Sequence, residues 1–89
     1  MRAVISVVGK DQVGILAKVS NECANANANV LEVTQTILQD MFVMVMLVEM
    51  DEAKDKYINF RNHLEDFGKA INLAIHVKNE EIFNAMHRI

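Results

Sequence analysis

In the segment Val4-Ile5-Ser6-Val7-Val8-Gly9-Lys10-Asp11-Gln12-Val13-Gly14-Ile15-Leu16, an apolar run passes through a short polar turn directly into a helical pattern. Arg2 to Val8 is β-branched and almost wholly apolar, the pattern of a buried strand. From Gly14 onward Ile15, Leu16, Val19, Cys23 and Ala26 recur at helical spacing, with Lys18, Asn21, Glu22 and Asn25 falling elsewhere. A strand that turns at once into an amphipathic helix must fold that helix back onto its sheet, so the chain is committed to a layered α and β architecture. At the turn, Asp11 is expected to cap the first free backbone N–H groups, and Gly14 allows another backbone or a small ligand to come close. Unpaired N–H groups at such a turn are where a carboxylate can bind.

The remaining elements follow from the same periodicities. The helix must stop within Ala24-Asn25-Ala26-Asn27-Ala28-Asn29, and Asn27 is the expected left-handed terminator. Val30 to Leu38 predicts a second strand with Leu31, Val33 and Ile37 on one face, made polar by Thr34, Gln35 and Thr36. A tight turn at Gln39-Asp40 leads into Phe42 to Val48, which completes a hairpin. Asp51 is the expected cap of a second helix whose buried stripe is Tyr57, Phe60, Leu64 and Phe67, with Gly68 closing it. The next strand alternates, Ile71, Leu73, Ile75 and Val77 inward against Asn72, His76 and Lys78 outward. Residues 79–89 carry Ile82, Phe83, Met86 and Ile89 at helical spacing, which predicts a short amphipathic C-terminal helix. The order β-α-β-β-α-β with right-handed crossovers is the ferredoxin-like α+β sandwich: a four-stranded antiparallel sheet carrying two helices on one face.

Residues 1–89 are expected to form a single domain, since a chain of this size builds one modest core and no linker or Pro-rich stretch divides it. A hydrophobic fraction of 52% with 24% charged residues predicts a folded chain. The nine basic residues are scattered and the net charge is −3, which argues against nucleic acid. The apolar stretch Met41 to Val48 is too short to span a membrane, which takes about 20 residues. The single cysteine, Cys23, has no disulfide partner and no metal-motif spacing; a buried thiol in a reducing cytoplasm is expected. His63, His76 and His87 share no helix face as metal ligands do, and no nucleophile and base pair is recognisable, so neither a metal, a cofactor nor catalysis is expected.

One strand conflicts with a sheet covered on one side only. Phe42 to Val48 is apolar at every position, and Met41, Met44, Met46 and Met50 crowd it. Either the C-terminal helix, a second subunit or both must cover its other face, and a homodimer is favoured.

At the level of residues, Gly9-Lys10-Asp11-Gln12-Val13-Gly14-Ile15-Leu16-Ala17-Lys18-Val19, followed by Asn27-Ala28-Asn29-Val30, resembles the ACT domain, a small-molecule-sensing regulatory module. The ending Glu81 to Ile89 is similar to that of a small free-standing ACT subgroup related to the regulator of glycine cleavage. The resemblance covers the whole chain. It implies amino-acid binding where the first turn of one protomer meets a neighbour, at Asp11, Gln12, Val13, Gly14, Ile15 and Leu16, with Asn29 reaching the ligand from the partner chain. This chain departs from the family pattern at Gly9, where some amino-acid-binding members carry histidine, and at Val13, where proline is common. The implied protein is a non-enzymatic cytoplasmic sensor, a homodimer or higher homo-oligomer that passes its signal to a regulated protein partner. The alternative is a protein–protein interaction module with no small-molecule ligand, in which the glycine turn is only structural.

Overall fold

A computed structural model of the chain describes residues 1–81. They form strand β1 (Arg2–Lys10), helix α1 (Ile15–Asn25), strands β2 (Asn29–Leu38) and β3 (Met41–Glu49), helix α2 (Lys54–Ala70) and strand β4 (Leu73–Asn79). The sheet runs β2-β3-β1-β4 with every neighbouring pair antiparallel, the order the sequence predicts for a ferredoxin-like fold. Glu80 and Glu81 begin a helical turn, and the rest of the expected C-terminal helix lies outside the described residues.

Register determines which side chains meet the helices. Residues directly opposite in a ladder share a face, so Met46, Ile5 and Val77 form one row and Met44, Val7 and Ile75 the next. Both rows are at most 3% exposed and pack against Ile15, Val19 and Cys23 of α1 and Phe60 and Leu64 of α2. Leu16 and Ala26, expected on the buried stripe of α1, are exposed instead, because the helix is covered along one narrow line only. Tyr57 and Phe67 lie at the margin of the core and are half-buried.

Three chain reversals depart from or confirm local expectation. Asn27 has φ 60°, the left-handed residue that ends α1, as its side chain predicts. Gln39 takes φ 62° in the β2–β3 turn. Gly68, expected to close the second helix, does not: α2 continues to Ala70, and the left-handed residue that follows it is Asn72, at φ 61°. Glycine stands at position 68 because the helix presses onto β4, where an added Cβ would lie 2.6 Å from Ile75 Cγ1 and 2.8 Å from the Leu73 carbonyl oxygen.

Neither predicted helix cap forms as expected. Gly14 occupies the N-cap of α1 with no side-chain bond, so Asp11 sits three residues too early to cap it. At the second helix Ala53 holds the N-cap, and Asp51 Oδ1 instead accepts the Ala53 N–H at 2.9 Å, an Asx turn ahead of the helix. That bond and Lys56, whose Nζ lies 3.3 Å from Asp51 Oδ2, hold the Asp51 carboxyl below its ordinary range.

Cys23 is fully buried in the core, as expected. Loss of water around the sulfur, with a further push from the Glu22 charge, raises its pKa to about 11. The unfolded thiol ionises near its ordinary value of 9.0, so between that pH and about 11 the folded state holds the proton longer than the unfolded state. Stability contributed by the neutral thiol is therefore complete below the lower value and lost as pH rises through the higher one. Urea unfolding across this window should show stability falling with pH more steeply in the natural protein than in Cys23→Ala, which differs from it at this one group. Equal slopes would show that the thiol ionises alike in both states.

Candidate functional site

The turn between β1 and α1 is built by three contacts. The Asp11 N–H donates to the Asp40 carbonyl at 2.8 Å, tying the turn to the β2–β3 hairpin. Gln12 Nε2 donates to the Ile71 carbonyl at 3.1 Å, tying it to the end of α2. Gly14 adopts φ 82°, and its carbonyl accepts the Lys18 N–H at 2.9 Å, the first bond of the helix. An L side chain at position 14 would be strained in that conformation.

This geometry sorts the predicted residues by role. Gln12 is half-buried and occupied as a strut. Ile15 is 2% exposed and serves the core. Val13 is 94% exposed, Leu16 is 38% exposed, and Asp11 and Gly14 also face solvent. The N–H groups of Ile15, Leu16 and Ala17 precede the first i→i−4 bond, and no side chain caps them. The first turn of α1 carries no acidic residue to offset the partial positive charge of its end. Lys10 is exposed at the end of β1. These features suit an anion approaching from outside the protomer.

Asn29 lies far from that turn. It opens β2 opposite Glu49, which in turn stands opposite Arg2, at the end of the sheet remote from Lys10 and Asp11. The length of β1 alone separates the two places by roughly 27 Å, at about 3.3 Å per residue. One chain therefore does not bring Asn29 to Asp11.

Between them runs β2, the edge strand. Leu31, Val33, Ile37 and Leu38 are 37%, 39%, 53% and 63% exposed. Val33 and Ile37 stand opposite the buried Met46 and Phe42, hence on the helix side of the sheet, and α1 makes few contacts with β2. A bulge between Val30 and Glu32 interrupts the pairing with β3. On the other face of β3, Met41 and Val45 are 47% and 39% exposed, with Val43 and Leu47 half-buried beside them. The strand that sequence marks as apolar on both faces is thus covered by helices on one face, while among the described residues the other stays partly open.

A second feature lies at the opposite end of the helices, where sequence reasoning marked nothing. A cleft of about 430 Å³ opens between the end of α1 and the first turns of α2, lined among others by Glu22, Asn25, Asn27, Met50, Phe60 and His63. His63 Nε2 and Glu22 Oε1 are 2.7 Å apart across it. The alternation of Ala and Asn at the end of α1 supplies short and amide side chains to one wall, but it says nothing of the α2 residues opposite. Among the described residues, no group of three or more His, Cys, Asp or Glu is arranged to hold a metal ion. Nor, among those residues, is any helix long and apolar enough to cross a membrane.

Comparison with known proteins assigns the fold to a lineage. A UPF0237 protein of Listeria innocua is 42% identical over 89 residues, covering all of both chains. The solved ACT domain protein from Streptococcus pneumoniae superposes with a TM-score of 0.83 at 40% identity, covering 98% of each chain. A putative glycine cleavage system transcriptional repressor shares the fold, with a TM-score of 0.77 at 22% identity over 86% of this chain and 44% of its own. Residues 2–78 match the ACT domain model, and the chain belongs to the ACT domain family.

Proposed function

We propose that this protein is a non-enzymatic cytoplasmic sensor, a homodimer that binds an amino acid between the β1–α1 turn of one protomer and Asn29 of the partner subunit. The observation that carries the reading is the uncapped start of α1 beside the left-handed Gly14, in a chain of the ACT family. The N–H groups of Ile15 to Ala17 would hold the ligand carboxylate, with Lys10 adding positive charge and Asp11 accepting from the ligand ammonium.

The separation of Asn29 from the turn supports a site shared between chains. Antiparallel pairing of β2 with its own copy, about a two-fold axis at Val33 or Thr34, would set Asn29 of the partner subunit opposite Ile37 or Gln39. That end of β2 adjoins Asp40, whose carbonyl is bonded to Asp11. A ten-residue edge strand with Glu32 as its one charge and four exposed apolar side chains is the kind that proteins otherwise blunt or cover. Because both chains would line the site, ligand would favour one subunit arrangement and so signal to a protein partner.

The test is a thermal-shift series of the natural protein and Asp11→Ala against the common amino acids. A ligand bound to the folded state alone, at a hundredfold excess over Kd, should raise the melting temperature by about 10 °C or more. Asp11 is exposed and caps nothing, so its substitution should leave the unliganded melting temperature nearly unchanged and abolish the shift. The open β3 face favours one other reading, a module that binds a partner protein through Met41 and Val45. No shift with any amino acid from a folded dimer would favour it.

A further inference from the structure

The cleft at the far end of the helices is independent of the β1–α1 turn, and its chemistry differs. Its wall holds a carboxylate largely withdrawn from water: the Glu22 side chain is 15% exposed, whereas its partner His63 is 59% exposed. The two Glu22 oxygens are unequally served. Oε1 lies 2.7 Å from His63 Nε2, but among the described residues Oε2 has only Asn25 Nδ2 at 3.5 Å, a distance at which little hydrogen bonding remains. A carboxylate has room for about four acceptor contacts, so Oε2 retains most of its capacity.

The surroundings add to the negative potential. The cleft takes in Ala26 and Asn27, the end of α1, where the helix dipole is negative and the last turn has no basic residue. Lys56, the cation on the opposite rim, is spent on Asp51 at 3.3 Å. Asn59 offers a further amide, while Met50 and Phe60, 7% and 4% exposed, form an apolar floor. A volume of about 430 Å³ is in the range of small-molecule sites.

The geometry points to this cleft as a second ligand site, one for a small primary amine whose ammonium group meets Glu22 Oε2 and whose short apolar stem lies over Met50 and Phe60. An ammonium supplies three donors, enough for Oε2 and the neighbouring Asn side chains together, and a charge-assisted bond to a sheltered carboxylate is stronger than a neutral one. The uncharged analogue of the same shape would gain the floor but not the carboxylate. A purely structural Glu22–His63 tie between the helices would show no such preference.

The experiment is a nitrogen-15 NMR titration of the whole chain with n-butylammonium, and with 1-butanol as the neutral match. The expected result is saturable shifts of the Asn25, Asn27 and Asn59 signals by n-butylammonium in the millimolar range, with 1-butanol roughly tenfold weaker or more. Glu22→Gln should remove that preference. Ala26→Leu, at an exposed position that leaves the Glu22–His63 pair intact, should block the cleft and weaken binding of both compounds. Absence of saturable shifts, equal response to amine and alcohol, or amine binding unchanged in Ala26→Leu would each overturn the proposal. The amino-acid shift tested through Asp11→Ala is read separately, so either site can fail without the other.

Discussion

Gly68→Val should destabilise the fold by about 3 kcal/mol and lower the melting temperature by at least about 10 °C. An alanine methyl already meets two obstacles of different kinds at this position. Ile75 Cγ1, at 2.6 Å, belongs to a side chain that is 3% exposed, and interiors are packed too densely for such a side chain to turn aside freely. The Leu73 carbonyl oxygen, at 2.8 Å, belongs to the first residue of β4 and moves only if the strand moves. Relief therefore requires α2 to lift from β4, which uncovers Leu64 and Phe60 as well. Helix propensity partly opposes the effect in Gly68→Ala, where removing glycine from a helix gains about 1 kcal/mol. Valine gives back most of that gain through its stiff branched side chain and adds two methyl groups to the clash. Urea unfolding of both variants should rank them natural, then Ala, then Val. A Val variant as stable as the natural protein would mean that the helix and β4 are not in close contact.

The same glycine shows what the sequence conveys and what it hides. A glycine late in a helical pattern followed by a strand reads as a stop, because the left-handed stop and the close-packing contact use the same residue. Only the second depends on β4, which arrives from further along the chain. Asn72, the residue that takes the left-handed conformation, was legible only as an outward strand position. At Asn27, by contrast, nothing tertiary competes, and the local preference of asparagine gave the answer. The inward row of β4 was legible for the same reason, since period-2 alternation is a property of the strand alone, whereas β1 and β3 are apolar on both faces and only their register shows which row meets the helices.

The site divides along similar lines. That the β1–α1 turn is special was visible in the spacing of Asp11 and Gly14. The cap was assigned to Asp11 because carboxylates favour that role, yet the turn is long enough for Gly14 to start the helix with its N–H groups open. The cleft was not legible, because Glu22, Asn25 and Asn27 come from one helix end while Asn59, Phe60 and His63 come from another. No local pattern links residues brought together by helices lying side by side. β2 falls between these cases: Val33 and Ile37 share a face as read, but Leu31 sits at the bulge, and the strand's place at the sheet edge, which leaves Val33 and Ile37 exposed among the described residues, follows from topology.

If the protein pairs through β2 as proposed, Val33→Lys should convert that dimer into a folded monomer, weakening association by about a hundredfold or more. Val33 is 39% exposed on the helix side of the edge strand, so a lysine there costs the monomer little and reaches water. Near a two-fold axis each substitution acts twice. The two ammonium groups would face each other or a neighbouring row across the pairing, where like charges oppose association and lysine on an edge is a natural barrier to strand pairing. A site shared between chains must fall with the dimer, so the amino-acid thermal shift should vanish while the unliganded melting behaviour becomes independent of concentration. Sedimentation of the natural protein and the variant over a range of concentrations reads the first effect, and the thermal-shift series reads the second. A variant that stays dimeric and still responds to ligand would exclude β2 as the shared edge. The open β3 face would then be the place to break the dimer, through Val45→Lys. A variant that is monomeric yet keeps its ligand response would retain the turn as the site and remove Asn29 of the partner subunit from it.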